Sequence, residues 1–115
     1  MEHRQGLRNP VDIDAIAESP TCGRLSVRIT DVSLNGVRLR GDVEQLPVYA
    51  PLRLTFRLYR QHPAKTYQWR GFVVRAGDGT IGAMFESPDP VDQSGLLALL
   101  AVAEEQRRTL LLQAS

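Results

Sequence analysis

The chain has 115 residues, enough for one modest core and not for two, and at 43% hydrophobic it has the side chains to fill one. Fourteen basic residues against 13 acidic leave a net charge of +1, which excludes an electrostatic field that would by itself argue for nucleic acid. The one cysteine, Cys22, excludes an internal disulfide, "MEHRQGLRNP" lacks the apolar run of a secretory signal, and the longest apolar run, Leu96 to Ala103, is too short to cross a bilayer, so the expected location is the cytoplasm without membrane insertion.

Residues 1–10 read as a flexible basic arm that ends at Pro10. "VDIDAIA" (Val11 to Ala17) alternates with period two and predicts a first strand. "ESPTCG" is a turn cluster, with Cys22 read as a small, partly buried hydrophobe. "RLSVRIT" (Arg24 to Thr30) alternates cleanly, with Leu25, Val27 and Ile29 on one face. After "DVSLNG" comes "VRLR", with Val37 and Leu39 inward and Arg38 and Arg40 outward. "GDVEQLPVYAP" is a loop, and "LRLTFRLY" (Leu52 to Tyr59) a fourth strand. "TYQWRGFVVR" (Thr66 to Arg75) is a strand of less regular alternation, as expected where both faces are partly covered. "AGDG" signals a hairpin, and "TIGAMFE" (Thr80 to Glu86) closes the series.

The period then changes to that of a helix. Asp89 is placed to cap it, Pro90 to take its first position, and Asp92 to meet the positive end of its dipole. Leu96, Leu99, Leu100 and Ala103, and later Leu110 and Leu111, follow helical spacing. Six short strands with short links, followed by one helix over residues 89–112, predict a single all-β domain with a C-terminal helix. A sheet with one apolar face buries it best by curling, so residues 11–86 are expected to form a six-stranded antiparallel β-barrel with the helix plugging or flanking one end.

Enzyme constellations are missing. His3 and His62 are the only histidines, no H-E-x-x-H, paired cysteines or phosphate-binding G-x-x-x-x-G-K-[ST] occurs, and Ser33 is not in a G-x-S-x-G elbow. Nothing predicts a metal, a cofactor or catalysis. What remains is "DVSLNG", Asp31 to Gly36, and "RQGLR", with Arg4 and Arg8 four apart. Asp, Ser, Asn and Gly are also what any turn would use. The four-residue arginine spacing recurs at Arg24/Arg28 and Arg53/Arg57, where alternation makes it a solvated barrel wall. Arg4 and Arg8 differ because they lie in a non-periodic arm before the first strand. Arginine, the type of all 14 basic residues except Lys65, can grip phosphates and guanine edges bidentately or stack on a purine. A carboxylate beside a hydroxyl can accept from guanine N1–H and N2–H, and a glycine admits close approach and positive φ.

In "EHRQGLRNPVDIDA" followed by "GRLSVRITDVSLNGVRLR", the sequence resembles the PilZ domain, a family with R-x-x-x-R before its first strand and [DN]-x-S-x-x-G between its second and third. "APLRLTFRL", "GFVVRAGDGTIGAMFE" and the terminal helix keep the family's order, so the resemblance covers nearly the whole chain. It implies a receptor for the bacterial second messenger cyclic di-GMP. Carried over by position, Arg4 and Arg8 grip the phosphates and bases, Asp31 and Ser33 read a guanine edge, and Gly36 shapes the loop. Asn35, at a variable motif position, and His3, just before the first arginine, are additional candidates. Val37 stands where many members have a second small residue.

Three function classes follow. The leading one is a messenger-binding module that relays its signal to a partner protein. The second is a nucleotide-independent adaptor of the same fold, with "TLLLQAS" serving a homodimer or a partner helix. The third, a single-stranded nucleic-acid binder, would need stacking aromatics on the outer sheet; Tyr59, Tyr67, Trp69 and Phe72 make no repeated pattern for it, and no nucleic-acid partner is expected.

Overall fold

A computed structural model describes residues 9–58, 64–77, 79–85 and 90–114. Six strands, β1 (Asn9–Ser19), β2 (Gly23–Val32), β3 (Gly36–Gly41), β4 (Pro51–Leu58), β5 (Lys65–Gly77) and β6 (Thr80–Phe85), precede one helix, α1 (Pro90–Ala114). The strands close into an antiparallel barrel in the order β1-β2-β3-β6-β5-β4, with β4 returning to pair with β1. The alternation of apolar residues in the sequence is what closes it. Ile13, Ala15, Ala17, Val27, Ile29, Leu39, Leu52, Leu54 and Phe56 all point inward and are buried, while Arg24, Arg28, Arg40, Arg53 and Arg57 stand on the wet wall. Arg28 is held there between Asp12 and Asp14 of β1, and those carboxylates, Asp12 first, push its pKa above the usual value.

Two of the aromatics that a nucleic-acid binder would need on the outer sheet lie inside. Tyr67 and Trp69 are buried, and the Tyr67 ring stacks on Phe56 at 5.6 Å. Trp69 fills the barrel's centre beside Leu54 and Ile29. Gly71 lets it fit: a Cβ there would fall 2.6 Å from the indole ring and 2.1 Å from the carbonyl oxygen of Met84.

Both barrel ends are closed. At the end marked by Gly41, Pro51 and Gly77, the β3–β4 connection must cross from β3 to β4 past two intervening strands. It does so with its own apolar side chains turned in: Val43, Leu46 and Ala50 are buried. Tyr49 N–H donates to Val73 O (2.6 Å), and Val73 N–H donates to Ala50 O (2.9 Å), which fastens the connection to β5. The sequence reads as loop here because Gly41, Pro47 and Pro51 break a short segment, although Val43, Leu46 and Ala50 fall at i, i+3 and i+7.

At the other end, α1 packs against β5, β1 and β2. Leu96, Leu99, Val102 and Ala103 are buried, as their helical spacing predicts. Gly95 brings the helix close to β5, where a Cβ would lie 3.0 Å from Gln68 O. The first described helical residue is Pro90, the position expected for it; its predicted cap, Asp89, lies outside the described residues.

Leu46 is 2% exposed in a segment without regular structure. Leu46→Ala is expected to cost about 2–5 kcal/mol, as a strand core residue would. Urea denaturation measures it, and a loss under about 1 kcal/mol would mean the connection closes nothing.

Candidate functional site

Three of the predicted site residues share one corner. Asp31 and Val32 end β2, Gly36 opens β3, and Ser33, Leu34 and Asn35 make the turn. Ser33 N–H donates to Gly36 O at 2.9 Å. The Ser33 hydroxyl donates to the same oxygen (3.4 Å) and accepts from Asn35 N–H (3.4 Å). The serine therefore braces the corner from both sides, and the Asn35 side chain is exposed at its tip.

Regular alternation would point Asp31 the wrong way. Val27 and Ile29 face the core, and Asp31 is in phase with them. A bulge corrects this. The β2–β3 register runs Ile29↔Leu39, then Asp31↔Arg38 and Val32↔Val37, so Thr30 is an extra residue. Past it the phase flips: Val32 pairs with inward Val37 and is fully buried, while Asp31 pairs with outward Arg38. The Thr30 hydroxyl donates to Arg38 O (3.4 Å) across the bulge. The Asp31 carboxylate lies 3.7 Å from the Arg38 guanidinium.

A second bulge does the same for an arginine. Val73 pairs with Ala83, both buried, and the next pair along the strands is Arg75↔Gly82, which leaves Val74 as the extra residue. Arg75 would otherwise follow Tyr67, Trp69 and Val73 into the core; it is exposed instead, on the outer wall. The irregular alternation of "TYQWRGFVVR" has this origin.

Arg38 and Arg75, with Ser33, border an open groove of about 450 Å3 along the outer faces of β3, β6 and β5, and Asp31 lies outside its lining, behind Arg38. Ser33 and Asn35 stand at one end, Arg38 and Arg75 line its sides, and Val74 and Met84 contribute apolar floor. Gly82 keeps the floor low between them. A flat apolar floor with guanidinium groups at its sides suits a planar ring that carries anionic groups. Among the described residues no cluster of His, Cys, Asp and Glu could hold a metal ion.

Gly36 is needed for a different reason than its motif position suggests. Among the described residues the glycines with positive φ are Gly23, Gly41 and Gly79, so Gly36 supplies no left-handed turn. It pairs with Met84 of β6, and a Cβ on it would sit 2.0 Å from Ala83 O. The residue is glycine because β6 passes directly behind it.

Arg4, Arg8 and His3 lie outside the described residues. The structure does fix where their segment joins the barrel. Asn9 pairs with Val32 and Pro10 with Asp31, and Asn9 Nδ2 donates to Val32 O at 3.3 Å. Arg38 and Arg75 were not among the predicted site residues. Arg38 already had an outward phase two residues beyond the glycine; Arg75 carried only the broken alternation of its strand as a sign.

The comparisons agree with this architecture. The family described as PilZ domain matches residues 2–102. The PilZ domain of CeSA from a cellulose-synthesizing bacterium superposes with a TM-score of 0.68 at 13% identity, covering 84% of this chain and 97% of that one. The Bacillus subtilis inhibitor of motility, MotI/DgrA, superposes with a TM-score of 0.69 at 17% identity, covering 94% of this chain and 53% of that one. No curated protein sequence matches.

Gly36→Ala is expected to destabilise the barrel by about 1–3 kcal/mol, because its methyl group meets backbone that cannot yield cheaply. A thermal melt should show the midpoint falling by about 4–8 °C per kcal/mol. An unchanged midpoint would contradict the close β3–β6 approach.

Proposed function

This chain belongs to the PilZ domain family, and we propose that within it the chain is a receptor for cyclic di-GMP with no chemistry of its own. One observation carries the reading. Asn9 and Pro10 pair with Val32 and Asp31, so the arginine arm leaves the barrel beside the Asp-x-Ser corner. Arg8 is bonded to Asn9, and chain connectivity keeps it within one residue of that corner.

In this mechanism Arg4 and Arg8 fold over the ligand and engage its phosphates and guanine O6/N7 edges. Asp31 accepts from the N1–H and N2–H of one guanine, with Ser33 beside it. Binding asks Asp31 to exchange or share its contact with Arg38, and the freed guanidinium then faces the ligand's anionic ring. Arg75 offers its planar face to a base lying over Val74 and Met84. His3 and Asn35 complete the rim. Gly36 holds β3 against β6 so that the corner and the groove floor keep their spacing. The ordered arm then presents a changed surface to a partner protein. No cofactor enters this scheme, and the expected setting is the bacterial cytoplasm; no described helix is long and apolar enough to cross a membrane.

A nucleotide-independent adaptor is the competing reading. The exposed Leu110, Leu111 and Leu112 favour it, since they offer an apolar surface apart from the groove. Partner binding that survives unchanged in the R4A/R8A double variant would support this class.

Calorimetric titration with cyclic di-GMP decides between the two. Heat of binding is expected, and Arg8→Ala or Asp31→Ala should each weaken affinity about ten- to a hundredfold, the loss of one charge-assisted contact of about 1.5–3 kcal/mol. Arg75→Ala should weaken it by less than about tenfold, as a stacking contact would. No heat, and no amide shifts from Asp31 to Gly36, would reject the receptor.

A further inference from the structure

The face of α1 turned away from the barrel carries a pattern that the groove does not use. Leu97, Ala101, Glu104, Arg108 and Leu111 recur at alternating steps of four and three, the spacing of a helix-pairing seam. All five are exposed, Leu97 by 65% and Leu111 by 64%, with Leu112 exposed beside them. The opposite side of the helix is already covered by the barrel, through Leu96, Leu99, Val102 and Ala103. Leu110 lies toward that side, beyond the barrel's edge, and takes no part in the seam.

We propose that this stripe pairs with the same stripe of a second copy of the chain, antiparallel about Gln106. The charges select the direction. A parallel pair would stack Glu104 on Glu104 and Arg108 on Arg108 within the seam, which repels at both levels. Reversal about Gln106 sets each Glu104 against the second copy's Arg108, and each Ala101 against the second copy's Leu111. The small residue meets the large one, and opposite charges meet twice. Glu104 and Arg108 already lie 3.1 Å apart along one helix, so the second copy completes a ring of four alternating charges. Glu105 and Arg107 fall on the rims, where like charges face each other in water at little cost. Gln106 points inward, its Oε1 accepting from Asp12 N–H, and leaves the twofold centre open. Leu97 lies beyond the end of the stretch that pairs in this register, Ala101 to Leu111, which is roughly 15 Å long. That is short of what a standard interface buries, so the pair forms weakly and reversibly.

The pairing is independent of the messenger reading and is measured without nucleotide. Sedimentation equilibrium of the full chain, from micromolar to millimolar, should show a monomer–dimer equilibrium. E104R and R108E each place like charges across the seam, and each should weaken dimerisation by about tenfold or more. The E104R/R108E double variant should restore it, and an equimolar mixture of the two single variants should form a heterodimer. All these positions are exposed, and unchanged melting curves confirm that the barrel is intact. A wild-type chain that stays monomeric throughout, a dimer that neither single variant weakens, or a double variant no better than the singles would each overturn the proposal.

Discussion

One extra residue in β2 decides what this barrel can present. A small closed barrel has no room inside for a carboxylate, and burying one without compensation costs several kcal/mol. Asp31 is nonetheless in phase with the core residues Val27 and Ile29. The bulge at Thr30 resolves the conflict by turning Asp31 toward Arg38, where it stays covered at 9% exposure but beside a cation, and by bringing Val32 in opposite Val37. The core gains a valine at the corner, and the outer wall gains an acid beside Arg38. The same irregularity serves the core and the surface, because an acid would not be tolerable in the valine's place. The bulge at Arg75 repeats the device on the far side of the groove.

Strand order does the rest. Because β6 lies between β3 and β5, the two bulged strands, β2 and β5, flank the pair β3 and β6. Gly82 and the backbone approach at Gly36 keep that surface shallow. Ser33, Arg38 and Arg75, distant in sequence, thereby border one groove. Closure through β1 and β4 brings the root of the arginine arm to the same corner. A barrel closed in another order would keep every strand and lose the juxtaposition.

Much of this was legible in the chain. The strict alternation of "RLSVRIT" and "LRLTFRLY" and the inward phase of Val37 and Leu39 need only the geometry of a pleated strand. The change of period after "SPDPVDQ" marks the helix for the same local reason. What could not be read depends on pairing across the barrel. A bulge is a mismatch between two strands, so Thr30 and Arg75 look ordinary until their partners are known. The close approach at Gly36 is set by β6, almost fifty residues away in sequence, which is why a turn glycine was expected to supply positive φ and does not. Tyr67 and Trp69 alternate with Thr66, Gln68 and Arg70, so their inward phase is local, and only the break at Val74–Arg75 depends on the strand opposite. Val43 and Leu46 cap the core from a connection broken by Gly41, Pro47 and Pro51, where no element carries the apolar spacing.

The first strand joins the Asp31 corner to the helix. Its register with β2 slips between Pro10 and Ile13, just inside the pairs that place the arm. A slip of this kind takes backbone groups out of the ladder, and a buried or half-covered N–H must find another acceptor. For Asp12 that acceptor is the Oε1 of Gln106, 3.1 Å away on α1. Within four residues, then, β1 holds the partner of Asp31 and the anchor of the helix. Gln106 reaches inward from the middle of the segment whose outer face carries Glu104 and Arg108. The burial of Leu96, Leu99, Val102 and Ala103 sets the helix on the barrel, and the Asp12–Gln106 hydrogen bond ties its solvent edge to β1. The Asp31 corner and the helix are thus joined by one short piece of irregular backbone.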